Sequence, residues 1–171
     1  TEGLQDAGMA AVAKHFPGHG DTSQDSHEEA VSVSHTLDRL RQTEWVPFQA
    51  AIDSNVAGIM VGHIHVPNVE TQDLPATFSK TMLTTYLRQE LGYEGLIITD
   101  ALNMKAISDH YTPEASAVLA LQAGADILLM PTDYTRTIDG VVQAVEQGTL
   151  SESVIDAAVL RVMKAKALYI Q

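Results

Sequence analysis

Four nearly continuous apolar runs constrain the fold of this chain of 171 residues more than any other feature of its sequence. The runs cover residues 9–16, 57–64, 95–99 and 125–130. Each has the length of a strand, and none shows the strict alternation of apolar and polar residues that marks a strand with one face in water. Strands of this kind are typical of a parallel sheet that helices cover. The sequence therefore predicts an α/β fold.

Helix-like stretches separate and follow the runs, with apolar residues at three- and four-residue spacing. They cover residues 37–53, 79–91, 113–123, 135–147 and 151–169. Ser79 and Ser151 are expected N-caps, while Gly92 and Gly124 are expected to end helices. Residues 1–8 are expected to be the end of a helix that leads into the first strand.

The repeated β-loop-α order limits how large an architecture the chain can form. An eight-fold (β/α) barrel takes about 250 residues, or roughly 31 residues for each unit. Four units and the terminal helices use all 171 residues. The lengths therefore predict one domain over residues 1–171, which is either half of a barrel or a small open α/β sheet.

Residues that can do chemistry lie at the end of each apolar run. Lys14 and His15 are in the first run, His63 is in the second, Asp100 follows the third, and Thr132 and Asp133 follow the fourth. In α/β sheets and barrels the carboxyl ends of the strands form the edge that binds ligands. Residues 14–27 combine a lysine, three histidines and two aspartates with several turn formers, a mixture that indicates a site rather than scaffolding.

Charge and composition exclude several classes of function. The chain has 22 acidic and 10 basic residues and a formal charge of −12, which argues against binding to nucleic acid or to an anionic membrane surface. It has no cysteine, so neither a disulfide framework nor thiolate chemistry is expected. No apolar run approaches the ~20 residues of a membrane span. No signal peptide opens the sequence, which leaves the cytoplasm and, with a signal upstream, export both open.

Two long motifs stand out: KHFPGHGDT at residues 14–22, followed by DSH at 25–27, and GLIITDALNM at 95–104. They resemble glycoside hydrolase family three, in the branch of NagZ-type β-N-acetylhexosaminidases. Residues 37–48, 60–63 and 123–129 are similar to the same branch. The resemblance implies the C-terminal half of a TIM-type (β/α)8 barrel, with the N-terminal half absent from this sequence. It also implies a retaining exo-β-N-acetylglucosaminidase that acts on peptidoglycan-derived or related glycans without a metal or another cofactor.

The resemblance implies a nucleophile and an acid/base. Asp100 is expected to attack the sugar and form a covalent glycosyl-enzyme; the alternative is that it caps the helix that follows. His27, with Asp25 beside it, is expected to be the acid/base; the alternative is a solvated pair of loop residues. Residues two apart in an extended segment point the same way, so Asp25 can hold one ring nitrogen of His27 while the other serves the glycosidic oxygen.

The resemblance also implies substrate-binding residues. Lys14 and His15 are expected to hydrogen-bond the hydroxyls of the N-acetylglucosamine ring, and His63 to line the same pocket. The alternatives are a lysine at a strand end that reaches solvent and a buried histidine whose nitrogens are satisfied within the protein. His19 is expected to hold the turn at Pro17.

Four other functions stay open. Seven histidines and the acids at strand ends would fit a metal hydrolase, although His63 and His65 form the only tight pair. The glycine-rich turn would fit a phosphate, but it lacks the spacing of the known nucleotide-binding motifs. A β-glucosidase of the same family and a non-catalytic sugar-binding half-barrel are the remaining alternatives.

Overall fold

A computed structural model describes residues 1–19 and 31–169, which form five short strands. The strands are β1 (Val12–Phe16), β2 (Val31–Ser32), β3 (Gly58–Val61), β4 (Ile64–His65) and β5 (Leu96–Thr99). The main sheet is parallel with the order β1-β3-β5, and β2 pairs with β4 in a second parallel pair. The main sheet thus consists of the first three apolar runs, in the predicted parallel arrangement.

The fourth predicted strand, residues 125–130, is reduced to a single parallel bridge from Ile127 to β5. Two side chains take hydrogen-bond positions that a regular ladder gives to the backbone. The Asp126 carboxylate accepts from a backbone N–H of β5 at 2.8 Å, and the Thr99 hydroxyl accepts from the Leu129 N–H at 2.9 Å. The segment lies beside β5 as predicted, but the prediction of a regular strand is wrong.

Helices occupy the stretches where the sequence predicts them. The α-helices are α1 (Glu2–Asp6), α2 (Leu37–Arg39), α3 (Val46–Asp53), α4 (Lys105–Ser108), α5 (Pro113–Ala123), α6 (Tyr134–Glu146) and α7 (Glu152–Tyr169). Two segments, Leu40–Glu44 and Thr81–Glu90, are π-helices, and Ala76–Phe78 is a 3₁₀ turn. Among the residues described, no helix has both the length and the apolar content needed to cross a bilayer.

Capping residues explain where two of these helices begin and end, and Ser79 and Gly124 among them were predicted. The Thr112 hydroxyl accepts from the Ala115 N–H at 3.3 Å at the start of α5, and Gly124 ends that helix with a φ of 114°. Glycine adopts this left-handed conformation without steric cost. The Ser79 hydroxyl accepts from the Met82 N–H at 3.1 Å, as expected of a residue that starts the next helical segment.

An aromatic cluster fixes the end of β1. Phe16 is fully buried, and its ring centroid lies 5.7 Å from that of Trp45 and 5.3 Å from that of Phe48. The Trp45 ring in turn lies 5.2 Å from Tyr86 of the second π-helix. Aromatic pairs at these distances contribute about 0.5–1.5 kcal/mol each beyond the apolar area they bury. The last residue of β1 is therefore held against α3 and its neighbours.

A buried ion network joins α7 to the sheet near the start of β5. The Asp126 side chain is 0% exposed, and its carboxylate pairs with the guanidinium groups of Arg88 and Arg161, the latter at 2.7 Å. The same carboxylate accepts the N–H of Ile97. Burying a carboxylate is costly unless its oxygens are paired, and here both oxygens have charged partners.

Replacing Asp126 by Ala should therefore destabilise the protein strongly, because it leaves Arg88 and Arg161 without their shared partner. We expect the free energy of unfolding to fall by about 3–5 kcal/mol, measured by equilibrium urea denaturation. Asp139→Ala, at an exposed position of α6, is the control and should change it by about 0.5 kcal/mol or less. Equal midpoints for the two variants would show that the network contributes nothing.

Candidate active site

The carboxyl ends of the strands meet at one edge, which backbone hydrogen bonds beyond the strands hold together. The N–H of Gly62, just after β3, donates to the last residue of β1 at 2.9 Å. The N–H of Asp100, just after β5, donates to the carbonyl of Val61 at 2.9 Å, and the N–H of Leu102 donates to that of Leu129 at 2.8 Å. The segments that follow the strands are thus joined to one another at the edge predicted to carry the ligand.

A bulge lies in β1 at two of the predicted sugar-binding residues. Between two of its paired positions β1 advances three residues while β3 advances two. The extra residue falls at Lys14 and His15, and a bulge changes the direction in which the side chains of a strand point. The peptide bond between these residues is cis, and so is the bond between Phe16 and Pro17.

The turn after the bulge packs closely on the first π-helix. The Gly18 N–H donates to the His15 carbonyl at 2.9 Å, and Gly18 has a φ of 126°. A Cβ at this position would lie 2.6 Å from the Cβ of Glu44, so only glycine fits. The His15 and His19 rings lie near each other across the turn, with centroids 6.2 Å apart and planes tilted by 56°.

The two oxygens of the Asp100 carboxylate have different surroundings. Oδ1 accepts the N–H of Ala101 at 2.8 Å, and Oδ2 lies 3.4 Å from Nε2 of His15. The side chain of Asp100 is 14% exposed and that of His15 is 25% exposed. One oxygen is therefore anchored to the backbone, while the other lies at the partly open side of the pair.

The capping alternative for Asp100 does not fit this arrangement. The next helix, α4, starts at Lys105 with Met104 in the cap position. Asp100 bonds instead to the N–H of the residue that directly follows it. Its carboxylate is thus held by the strand end and the first peptide of the loop.

His63 lies behind this site rather than open to it. The residue is 2% exposed, its Nδ1 lies 2.8 Å from the hydroxyl of Thr77, and its Nε2 lies 3.0 Å from the carbonyl of Ala101. Both ring nitrogens are therefore engaged within the protein. This geometry fits the alternative of a satisfied buried histidine, and the predicted sugar contact of His63 stays a prediction.

Burial lowers the pKa of His63 below its ordinary value of 6.5, because the charged ring loses its contact with water. The nearby charge of His15 acts in the same direction. The Ala101 carbonyl and the Asp100 carboxylate oppose the effect without outweighing it. Burial therefore favours the neutral form of the ring.

Three predicted site residues remain: Lys14, Asp25 and His27. Lys14 is exposed at the bulge. Asp25 and His27 lie outside the described residues, so their roles stay predictions. In the described ranges, 1–19 and 31–169, no three histidine, aspartate or glutamate side chains form a group that could hold a metal ion.

Thr77 is the part of this site that the sequence did not reveal. Its hydroxyl lies between Nδ1 of His63, at 2.8 Å, and the Gly62 carbonyl, at 3.0 Å, and the residue is fully buried. It belongs to the 3₁₀ turn at the end of a long connection without apolar periodicity. The only local signal is Pro75, which marks a turn but not a contact with His63.

Comparisons with known proteins agree with the resemblance. Residues 1–165 match the family described as Glycosyl hydrolase family 3 N terminal domain. Beta-hexosaminidase LpqI of Mycobacterium tuberculosis is 39% identical, over 97% of this chain and 44% of its own length. The structure of a glycoside hydrolase family 3 beta-N-acetylglucosaminidase from Paenibacillus sp. str. FPU-7 is 44% identical with a TM-score of 0.94, over 98% of this chain and 32% of that one. Beta-glucoside phosphorylase BglX is 27% identical with a TM-score of 0.91, over 98% and 32%.

The chain therefore belongs to glycosyl hydrolase family 3, as its two long motifs predicted. The same matches confirm the predicted fold class, parallel strands with covering helices as in half of a TIM-type barrel. The chain spans 31% to 44% of the length of the first curated relatives it matches.

Proposed function

We propose that the protein containing this chain is a retaining exo-β-N-acetylglucosaminidase. It removes terminal β-linked N-acetylglucosamine from peptidoglycan-derived or related glycans. The observation that carries the proposal is the Asp100 carboxylate, with one oxygen anchored to the backbone and the other 3.4 Å from His15. The sugar is supported by relatives named beta-hexosaminidase and beta-N-acetylglucosaminidase at 39% and 44% identity.

In the first step Oδ2 of Asp100 attacks the anomeric carbon of the terminal sugar. The bond between that carbon and the glycosidic oxygen breaks, and the oxygen takes a proton from His27. The product is a sugar ester of Asp100 and a shortened glycan. The Ala101 N–H holds Oδ1, which keeps the carboxylate in one orientation during the attack.

In the second step a water molecule attacks the same carbon and gives a proton to His27. The ester bond breaks and Asp100 returns to its ionised form. Two displacements at one carbon restore its configuration, which makes the enzyme a retaining one. Asp25 accepts a hydrogen bond from the second ring nitrogen of His27 and favours the protonated ring that the first step needs.

Lys14 and His15 bind the hydroxyls of the sugar in this proposal. Both residues lie at the bulge of β1, and Nε2 of His15 is 3.4 Å from Oδ2 of Asp100. A site that donates hydrogen bonds to particular hydroxyls rejects sugars that lack them, because its own polar groups are then left unpaired. The other half of the barrel supplies the remaining contacts, including those to the N-acetyl group.

The similarity to beta-glucoside phosphorylase BglX supports a second candidate, an enzyme acting on plain β-glucosides. The full-length protein should distinguish the two when it is given aryl β-N-acetylglucosaminide and aryl β-glucoside. We expect kcat/KM for the first to be higher by about 10²-fold or more. A preference for the glucoside, or release of glucose 1-phosphate when inorganic phosphate is added, would favour the second candidate.

Asp100→Ala should abolish hydrolysis, since it removes the carboxylate that forms the covalent bond to the sugar in the proposed reaction. We expect kcat/KM to fall by about 10⁴-fold or more, the scale seen when an enzyme loses its nucleophile. Asp109→Ala, at an exposed aspartate close in sequence, should behave like the wild type. Azide should partly restore the Asp100→Ala variant by attacking the sugar itself. Near-normal turnover by that variant would remove Asp100 from its role.

His27→Ala should separate substrates by their leaving groups. A nitrophenyl leaving group departs without a proton, so its kcat/KM should change little. The kcat/KM of a natural disaccharide should fall by about 10²- to 10⁴-fold, the usual contribution of general acid catalysis. His110→Ala, at an exposed histidine, is the control. Equal losses on both substrates would argue against an acid role for His27.

A further inference from the structure

His63 is a buried titratable residue next to the site, and the proposed reaction does not use it. Placing a histidine where it is 2% exposed is unfavourable unless its nitrogens find partners, and here each has one. The partner of Nε2 is the carbonyl of Ala101, the residue directly after Asp100. The ring is thus joined to the loop that carries the proposed nucleophile.

The partners determine which nitrogen carries the proton. A backbone carbonyl only accepts hydrogen bonds, so Nε2 of His63 is the donor to Ala101. In the neutral ring Nδ1 then has no proton, so the one hydroxyl hydrogen of Thr77 points to Nδ1 at 2.8 Å rather than to the Gly62 carbonyl at 3.0 Å. The Ala101 carbonyl therefore fixes the tautomer, and the contact with Thr77 helps to hold the direction of the ring.

The peptide between Ala101 and Leu102 is held on both sides. Its carbonyl oxygen accepts from His63 at 3.0 Å, and its N–H donates to the Leu129 carbonyl at 2.8 Å. The peptide before it donates the Ala101 N–H to Oδ1 of Asp100 at 2.8 Å. The orientation of the carboxylate consequently depends on a backbone segment that cannot turn unless the bond to His63 breaks.

We propose that His63, held by Thr77, is a positioning residue that fixes the Ala101 backbone and so keeps the Asp100 carboxylate aimed for attack. The inference rests on the proposed function, because it takes Asp100 as the nucleophile. His63 itself touches neither the sugar nor the reacting atoms, because both of its nitrogens are used and its ring is buried. A misplacement of about 1 Å at a reacting group can cost about 10²-fold in rate.

Two substitutions of His63 test the two contacts of its ring separately. Glutamine places its amide nitrogen near the position of Nε2 and can still donate to Ala101. Asparagine places its amide nitrogen near the position of Nδ1, so it can keep the contact with Thr77 but loses the one with Ala101. In the full-length protein His63→Asn should lower the rate of glycosyl-enzyme formation by about 10²-fold, measured in the pre-steady state with an aryl β-N-acetylglucosaminide. His63→Gln should lose clearly less. Inhibition by free N-acetylglucosamine should stay within about two-fold for both variants.

Thr77→Val and Thr77→Ser give a second test should the His63 variants fail to fold. Valine keeps the shape of threonine but not its hydroxyl, so the rate should fall; serine keeps the hydroxyl and should restore most of it. His110→Asn, at an exposed position, is the control for the substitution itself and should leave the rate unchanged.

The outcomes separate this inference from the function it rests on. A wild type that does not hydrolyse the aryl glycoside, or an Asp100→Ala variant that does, overturns the proposed function. If both behave as expected, a normal rate for His63→Asn overturns the positioning role alone. Equal rate losses in the glutamine and asparagine variants would mean that the bond to Ala101 is not what matters. Weaker binding of N-acetylglucosamine in both would make His63 a sugar ligand instead.

Discussion

The hydrogen bond from the N–H of Asp100 to the carbonyl of Val61 carries the ladder between β3 and β5 one residue past the strand. The site depends on this bond, because it fixes the height of Asp100 above the edge of the sheet. From that point the Ala101 N–H orients Oδ1, and Oδ2 is left beside His15. Backbone donors and acceptors at a strand end must be satisfied in any case. The hydrogen bonds that satisfy these backbone groups therefore also hold the Asp100 carboxylate in place.

The two ends of the main sheet are built from different interactions. Near the start of β5, a fully buried carboxylate at Asp126 binds two arginines and joins the last helix to the sheet. At the other end lie the bulge at Lys14 and His15 and the cis peptide bond between them. Gly18 follows, at a position where a Cβ would collide with Glu44. Barrel enzymes commonly place stability at the start of the strands and chemistry at their ends. The described part of this chain follows that division.

The sequence was sufficient for features that depend on local residues. The bounds of α5 follow from Pro113 at its start and Gly124 after its end, because each acts on its own neighbours. The fourth strand failed because the Asp126 and Thr99 side chains replace backbone partners, which apolar character does not reveal. Apolar spacing also does not distinguish a π-helix from an α-helix.

Contacts between residues far apart in the chain could not be predicted from the sequence either. The motifs identified Asp100 and His15, but not that the two lie 3.4 Å apart. Thr77 contacts His63 from fourteen positions further along the chain. The choice of histidine there has a physical reason. In the proposed reaction a cation behind Asp100 would stabilise its free carboxylate more than the sugar ester, in which the negative charge is gone, and would slow the attack. Burial lowers the pKa of His63, so the ring holds the Ala101 backbone as a neutral donor.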